Sequence, residues 1–148
     1  IVGLDAIATS VHTCAARALE TTSVCEIPYD ELETIGARIP SLPRQLLRIM
    51  SREMHDDQLL LLLLGKRSAD ERLAAFLFSL SQRFGLRGYS PNEFNLSMSR
   101  NDIGNYLGLA VETVSRLFSR LQEEGVLVVR SRHVRLCDMD RLRVLASI

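Results

Sequence analysis

Three cysteines in 148 residues, Cys14, Cys25 and Cys137, are odd in number and widely spaced. That excludes a bridge-stapled secreted scaffold and makes a reducing cytoplasm the expected setting. No Cys-x-x-Cys and no Cys/His pair at zinc spacing occurs, which removes a self-contained zinc site. Long apolar runs are missing as well. The longest, Leu59 to Leu64, gives way to Gly65-Lys66 and is far too short to cross a bilayer, so no membrane partner is expected. No signal peptide is visible. Histidine is scarce: His12, His55 and His133 are dispersed, and no nucleophile–base pair or paired carboxylates are legible. An enzyme is therefore not expected, and His55 beside Asp56 reads as a solvated helix face. The chain opens on Ile1 rather than Met, which leads us to expect that an N-terminal portion of a longer protein precedes it.

Net charge is also lacking, but zero conceals an asymmetry. Residues 1–64 carry five basic and nine acidic side chains, and residues 65–148 carry thirteen and nine. The second half is basic by four charges, a modest excess of the kind that suits a polyanionic partner. Apolar content of 47% and charged content of 24% are those of a globular chain with enough length for one good core or two small ones.

Taken in order, residues 1–28 hold two β-like pieces, Cys14 to Leu19 and Ser23 to Ile27, separated by a polar turn at Glu20-Thr21-Thr22. Two strands cannot make a stable domain alone, so further sheet partners are expected. Tyr29 to Ala37 reads as a short helix after Pro28. Ser41 is the expected cap of the next helix, with Pro43 tolerated in its first turn. Along that helix Leu47, Met50, Met54, Asp57, Leu61 and Leu64 recur at alternating intervals of three and four, and Gly65 ends the pattern. A narrow heptad seam of this kind is the signature of a two-helix coiled coil; a helix packed on its own domain is the alternative. Asp57 interrupts the seam. Either it leans out to solvent, or two facing carboxylates keep a symmetric dimer marginal so that a signal decides the monomer–dimer balance.

Ser68-Ala-Asp-Glu71 is a capping box that starts a helix burying Leu73, Ala74, Phe76, Leu77 and Leu80, to about Arg83. Gly85, Gly88 and Pro91 mark a loop, and Phe94, Leu96 and Met98 alternate as in a short strand. Ser99 caps a further helix, with Asp102 closing a second capping box. Ile103, Leu107, Leu109, Val114 and Leu117 are apolar where a helix-turn-helix has its shared core. Gly104 is small where the helices cross, and Gly108 sits where the turn needs a positive φ. Glu112, Thr113, Ser115 and Arg116 then lie on the outer face of a second helix that runs to Glu124 and stops at Gly125. Val126 to Val129 and Val134 to Leu136 flank a basic hairpin tip, Arg130-Ser-Arg-His133, and Asp138 can cap a last helix through Leu145. Three helices, a small antiparallel sheet and a hairpin wing make a winged helix. Its outer face of donors and acceptors suits base edges and phosphates, while an ordinary helical hairpin with a solvated face is the alternative.

Glu71-Arg-Leu-Ala-Ala-Phe76, Asp102-Ile-Gly-Asn-Tyr-Leu-Gly-Leu109 and Val111-Glu-Thr-Val-Ser-Arg116 closely resemble the oxygen-responsive FNR regulators, including the ANR branch, of the CRP/FNR superfamily of bacterial transcription factors. The resemblance extends through Gly3-Leu-Asp-Ala-Ile7, Ala18-Leu-Glu-Thr21 and Cys25-Glu-Ile-Pro28, over essentially the whole chain. It implies an α+β fold: residues 1–40 as the C-terminal part of a β-roll sensor domain, 41–65 as a dimerisation helix with the seam above, and 66–148 as a winged helix-turn-helix DNA-binding domain. It implies a homodimer on a double-stranded DNA palindrome of the TTGAT…ATCAA type, acting on RNA polymerase.

The family's oxygen sensor is a [4Fe-4S] cluster on four cysteines, and Cys25 matches the ligand in the β-roll. The other three ligands have no counterpart here, and one thiolate cannot hold a cluster, so this chain alone is expected to bind none. From the residues alone, Cys25 is a buried small hydrophobe. Cyclic-nucleotide binders of the superfamily carry an Arg followed by Ser or Thr on the phosphate, and a Glu on the ribose. Here His12-Thr13 and Asp5 stand at those places, which argues against a cyclic nucleotide.

By the same resemblance the second helix enters the major groove. Arg116 can donate twice to guanine, Glu112 can accept from a cytosine amino group, and Ser115 can reach a base edge. Glu112 and Arg116, one turn apart, are expected to orient each other. Thr113, Ser99 and Arg100 are assigned to phosphates, with Arg130 and Arg132 bringing the wing to the backbone. Family members often begin this helix with Thr, where Ala110 stands here, so a cap or phosphate contact is lost. Two rivals remain: a regulator of the same superfamily sensing nitric oxide, heme or redox state, and a winged-helix protein-interaction module that binds no DNA.

Overall fold

Ser68 and Ser99 start two helices by the same device. Each hydroxyl accepts from the backbone N–H three residues on, and the carboxylates of Glu71 and Asp102 accept in return from the serine N–H groups. Both reciprocal boxes lie where the sequence placed them. The computed structural model describes residues 1–147. In chain order it contains α1 (Ala6–Thr9), α2 (Tyr29–Arg38), α3 (Ser41–Lys66), α4 (Ala69–Leu86), β1 (Glu93–Asn95), α5 (Arg100–Leu107), α6 (Val111–Glu123), β2 (Leu127–Arg130), β3 (His133–Leu136) and α7 (Met139–Leu145).

The chain divides into two units, Ile1–Asp56 and the residues from Asp57 onward. All of the buried core belongs to the second. Leu73 and Leu77 of α4, Ile103 and Leu107 of α5, Val114, Leu117, Phe118 and Leu121 of α6, Leu127 of β2, Val134 of β3 and Leu142 of α7 form one cluster. α4 buries the expected Leu73, Ala74, Phe76 and Leu77 and also Phe78, whereas Leu80, expected with them, is only partly buried against the core. The sheet is antiparallel in the order β1-β3-β2, with Phe94 opposite Val134 and Val129 opposite Val134 on the other side. β2 and β3 form a hairpin in which Arg130 pairs with His133, so the tip is Ser131-Arg132. Ser131 takes φ 58, and the Arg132 carbonyl accepts from Leu96 N–H at 2.8 Å, tying the tip to the chain beyond β1. Asp138 caps α7 by accepting from Arg141 N–H. The architecture is α+β with a C-terminal winged helix-turn-helix.

In the first unit the expected strands at Cys14–Leu19 and Ser23–Ile27 do not form. The segment is irregular and exposed, with Val24 86% accessible. A segment holds as a strand only where a neighbouring strand takes its hydrogen bonds and one of its faces, and these two pieces do not pair with each other. Ser41 is likewise not a cap: it is the first helical residue, and the early amide of Leu42 donates to the Ile39 carbonyl instead. α3 also runs one residue past Gly65, to Lys66. α2 does follow Pro28, and its Gly36 lies against Pro43 of α3, where a Cβ would meet the proline ring at 3.4 Å.

α3 has no fully buried residue. Of its expected seam, Leu47, Met54 and Leu61 are 66%, 62% and 70% exposed, Asp57 is exposed, and Met50 and Leu64 are half-covered. Large aliphatic side chains seven residues apart thus stand in water along one line.

Candidate nucleic-acid interface

α6 is sharply two-faced. Val114, Leu117, Phe118 and Leu121 are buried, while Glu112, Ser115, Arg116, Ser119 and Arg120 are exposed and Thr113 is half-covered. The helix is held close to α5 by the turn. Gly108 adopts φ 63, its N–H and that of Leu109 both donate to the Gly104 carbonyl, and Gly104 leaves no room for a side chain beneath the Leu109 carbonyl. Buried contacts on one face and a tight joint at the start leave the opposite face rigid and open.

On that face Glu112, Ser115 and Arg116 come together within about one turn. Ser115 Oγ donates back to the Val111 carbonyl at 2.9 Å, leaving its lone pairs outward. Arg116 Nη2 donates to Thr113 Oγ1 at 3.4 Å, a long bond that a better acceptor displaces readily. The expected mutual orientation of Glu112 and Arg116 is therefore not the arrangement seen; the threonine hydroxyl, three residues back, steers the guanidinium. Ala110 occupies the N-cap of α6 and supplies no side-chain acceptor, so the first turn starts uncapped, as its sequence implied.

The residues assigned to phosphates divide. Arg130 and Arg132 are exposed at and beside the hairpin tip. Ser99 is spent on its helix: the hydroxyl donates to Asp102 Oδ2 at 2.6 Å while accepting from Asp102 N–H. Arg100 lies over the Phe118 ring, 3.3 Å from its centroid, and desolvation there pushes its guanidinium below the ordinary value. It joins the first turn of α5 to α6.

Other polar side chains steady α6 without belonging to any pattern in the sequence. Arg120 forms an ion pair with Asp70 at the start of α4 and a looser one with Glu124, which in turn faces Arg141 of α7. Gln122 Oε1 accepts from Val129 N–H at 2.9 Å and fixes β2 to the helix. Across the sheet His133 Nε2 and Glu93 Oε1 are 3.1 Å apart. The only local hint of these pairings was their charge and amide type.

Elsewhere, Asp5 accepts from Thr13 N–H at 2.8 Å, from Thr13 Oγ1 at 3.0 Å, and lies 3.4 Å from His12 Nδ1. The Thr13 bonds above all hold its carboxyl down at about 2. The donors that an anionic ligand would use at His12-Thr13 are thus already engaged by a carboxylate. Cys25 is exposed, not a buried hydrophobe, and so are Cys14 and Cys137. Among the described residues no group of three or more Cys, His, Asp or Glu is placed to hold a metal, so the residues present do not fit a four-thiolate cluster. Among the described residues no helix is long and apolar enough to cross a membrane.

Residues 71–145 match the Crp-like helix-turn-helix domain family. The chain is 56% identical over 147 residues to the transcriptional activator protein FnrA of Stutzerimonas stutzeri, and 54% identical over 147 residues to the transcriptional activator protein Anr of Pseudomonas protegens. Each match covers 99% of this chain and 60% of the relative, so the chain spans about 60% of the length of these proteins. Among solved structures it is similar to FixK2 from Bradyrhizobium japonicum, with a TM-score of 0.72 and 35% identity, over 78% of this chain and 57% of that one.

Proposed function

From the premise that this chain belongs to the FNR/ANR branch of the CRP/FNR family, we propose that it is the reading and pairing portion of a dimeric, sequence-specific transcription regulator. The observation that carries this is the exposed trio Glu112, Ser115 and Arg116 on a helix whose other face is locked into the core. Arg116 reads a guanine through O6 and N7, Glu112 accepts from a cytosine amino group, and Ser115 contacts an adjacent base edge. Thr113, Arg130 and Arg132 serve the phosphates, with Ser99 and Arg100 acting on the backbone chiefly by fixing α5. Residues 1–40 are the end of the sensor domain, 41–65 the dimerisation helix and 66–148 the DNA-binding domain. The line of exposed Leu47, Met54 and Leu61 supports the pairing role. The target is a TTGAT…ATCAA palindrome, and RNA polymerase is the partner in transcription.

In the whole protein, acting in the cytoplasm, the signal is oxygen, received at a [4Fe-4S] cluster to which Cys25 contributes one thiolate, and what is controlled is anaerobic gene expression. The names of the two relatives, both transcriptional activators, support regulation rather than catalysis. A mobility-shift titration tests the DNA reading. Binding to the palindrome should weaken steeply with salt and be absent for scrambled duplex of equal length; equal binding to both leaves a protein-interaction module as the better reading. Anaerobic reconstitution of the full-length protein with iron and sulfide, with and without Cys25→Ser, tests the cluster.

A further inference from the structure

Arg72 gathers three carbonyl oxygens from three places in the chain. Its Nη2 donates to Leu64 at 2.7 Å, in the last turns of α3. Its Nε donates to Arg67 at 3.0 Å, in the connection between α3 and α4, and its Nη1 to Leu107 at 3.1 Å, the last residue of α5. Gly108, the left-handed turn of the helix-turn-helix, comes next; a Cβ built there would lie 3.6 Å from Arg72 Nη1 and 4.0 Å from Leu64 Cδ2. Arg72 itself is firmly based. Its N–H donates to the Ser68 carbonyl, and its neighbour Leu73 is fully buried.

Carbonyls in the last turn of a helix have no partner within the helix and carry the negative end of its dipole. A guanidinium answers both needs at once, because it is cationic and presents its donors in one rigid plane. Two helix ends, α3 and α5, are therefore held at a fixed angle by one planar group seated on a third helix. We propose that Arg72 is a positioning residue that sets the direction in which α3 leaves the DNA-reading domain, and thereby the spacing of the two half-sites that a dimer accepts. This rests on the reading of α3 as the pairing helix. Two readers joined stiffly meet one spacing well, whereas two readers joined loosely accept several, each with a lower effective concentration.

The test uses the full chain with Arg72→Gln and Arg72→Lys. Binding is measured to a duplex with one half-site, to a palindrome with the spacing the unaltered chain prefers, and to palindromes one base pair longer and shorter. The unaltered chain should prefer its own spacing by about tenfold or more, and Arg72→Gln should reduce that preference to about twofold while half-site affinity stays within about twofold. Arg72→Lys should resemble Arg72→Gln, since one ammonium keeps the charge but cannot span three carbonyls. The proposal is overturned if Arg72→Gln keeps the spacing preference, if half-site binding falls in the same proportion, or if Arg72→Lys restores it fully. Amide hydrogen exchange without DNA separates this from the function itself. Exchange should quicken in Arg72→Gln at residues 65–68 and 107–109 and stay unchanged at Leu73 and Leu77. If the unaltered chain prefers no palindrome, the DNA-reading proposal fails on its own; unchanged exchange at the junction then refutes the joint, and faster exchange there retains it.

Discussion

A Cβ added to Gly104 would lie 2.6 Å from the carbonyl oxygen of Leu109. The obstacle is backbone and cannot swing aside, so the close approach of α5 to the start of α6 depends on this glycine having no side chain. Gly108, four residues on, is needed for another reason: its φ is 63, and beyond its own chain neighbours the nearest atom to the Cβ position is Arg72 Nη1 at 3.6 Å.

Gly104→Ala should therefore cost about 1–3 kcal/mol by overpacking, and Gly108→Ala about 1–2 kcal/mol through backbone conformation alone. Urea unfolding monitored by circular dichroism measures both. An unchanged midpoint for Gly104→Ala would mean that the helices can part without loss, and that the outer face of α6 is not rigidly set.

Much of this region was legible because its determinants are local. Ser68 with Glu71, Ser99 with Asp102, Gly108 and Asp138 each act within a few residues of where they stand, and each does what its position implied. What escaped was what acts at a distance. Arg72 meets Leu107 from 35 residues away, and Ser147 Oγ reaches Glu71 Oε1 at 2.8 Å across 76. Arg100 lies over the ring of Phe118 in the next helix, a contact that its own neighbours in sequence do not announce. Cys14–Leu19 and Ser23–Ile27 failed as strands for the complementary reason: a strand is defined by its neighbour, and no local pattern supplies one.

The Glu71 carboxylate gives stability a slope in acid. It accepts from Ser68 N–H at 2.7 Å and from Ser147 Oγ, and faces Arg67 at 3.2 Å; the Ser68 bond above all holds its pKa at about 2, against an ordinary 4.5. A carboxyl whose folded value is depressed stabilises the fold above its unfolded value and loses that contribution as pH falls through the folded one. Between about pH 4.5 and 2 the native chain should lose stability that Glu71→Gln, already lacking the charge, does not lose. Thermal melts across this range should converge for the two proteins at the acid end. Parallel curves throughout would show that the carboxylate is not differentially bound.

Asp57 stands exposed between Met54 and Leu61 on the line of α3 seam residues. If two copies pair along that line, facing carboxylates oppose association by on the order of 1 kcal/mol in water. Asp57→Ala should then tighten the dimer by about fivefold and strengthen palindrome binding in air. Sedimentation equilibrium reads the first effect directly. No change in either quantity removes the carboxylate from control of pairing.

If the outer face of α6 chooses the DNA sequence, Arg116 is the side chain on it best suited to read a base pair. Its present bond to Thr113 is 3.4 Å long, leaving the guanidinium available for a guanine. The most direct measurement is the affinity of the unaltered chain and of Arg116→Ala for the palindrome and for each single-base-pair change in its half-site. Arg116→Ala should lose about 1–3 kcal/mol of discrimination at one base pair and keep it at the others. A uniform fall across every site, altered and unaltered alike, would contradict base reading by Arg116 and reduce it to a phosphate contact.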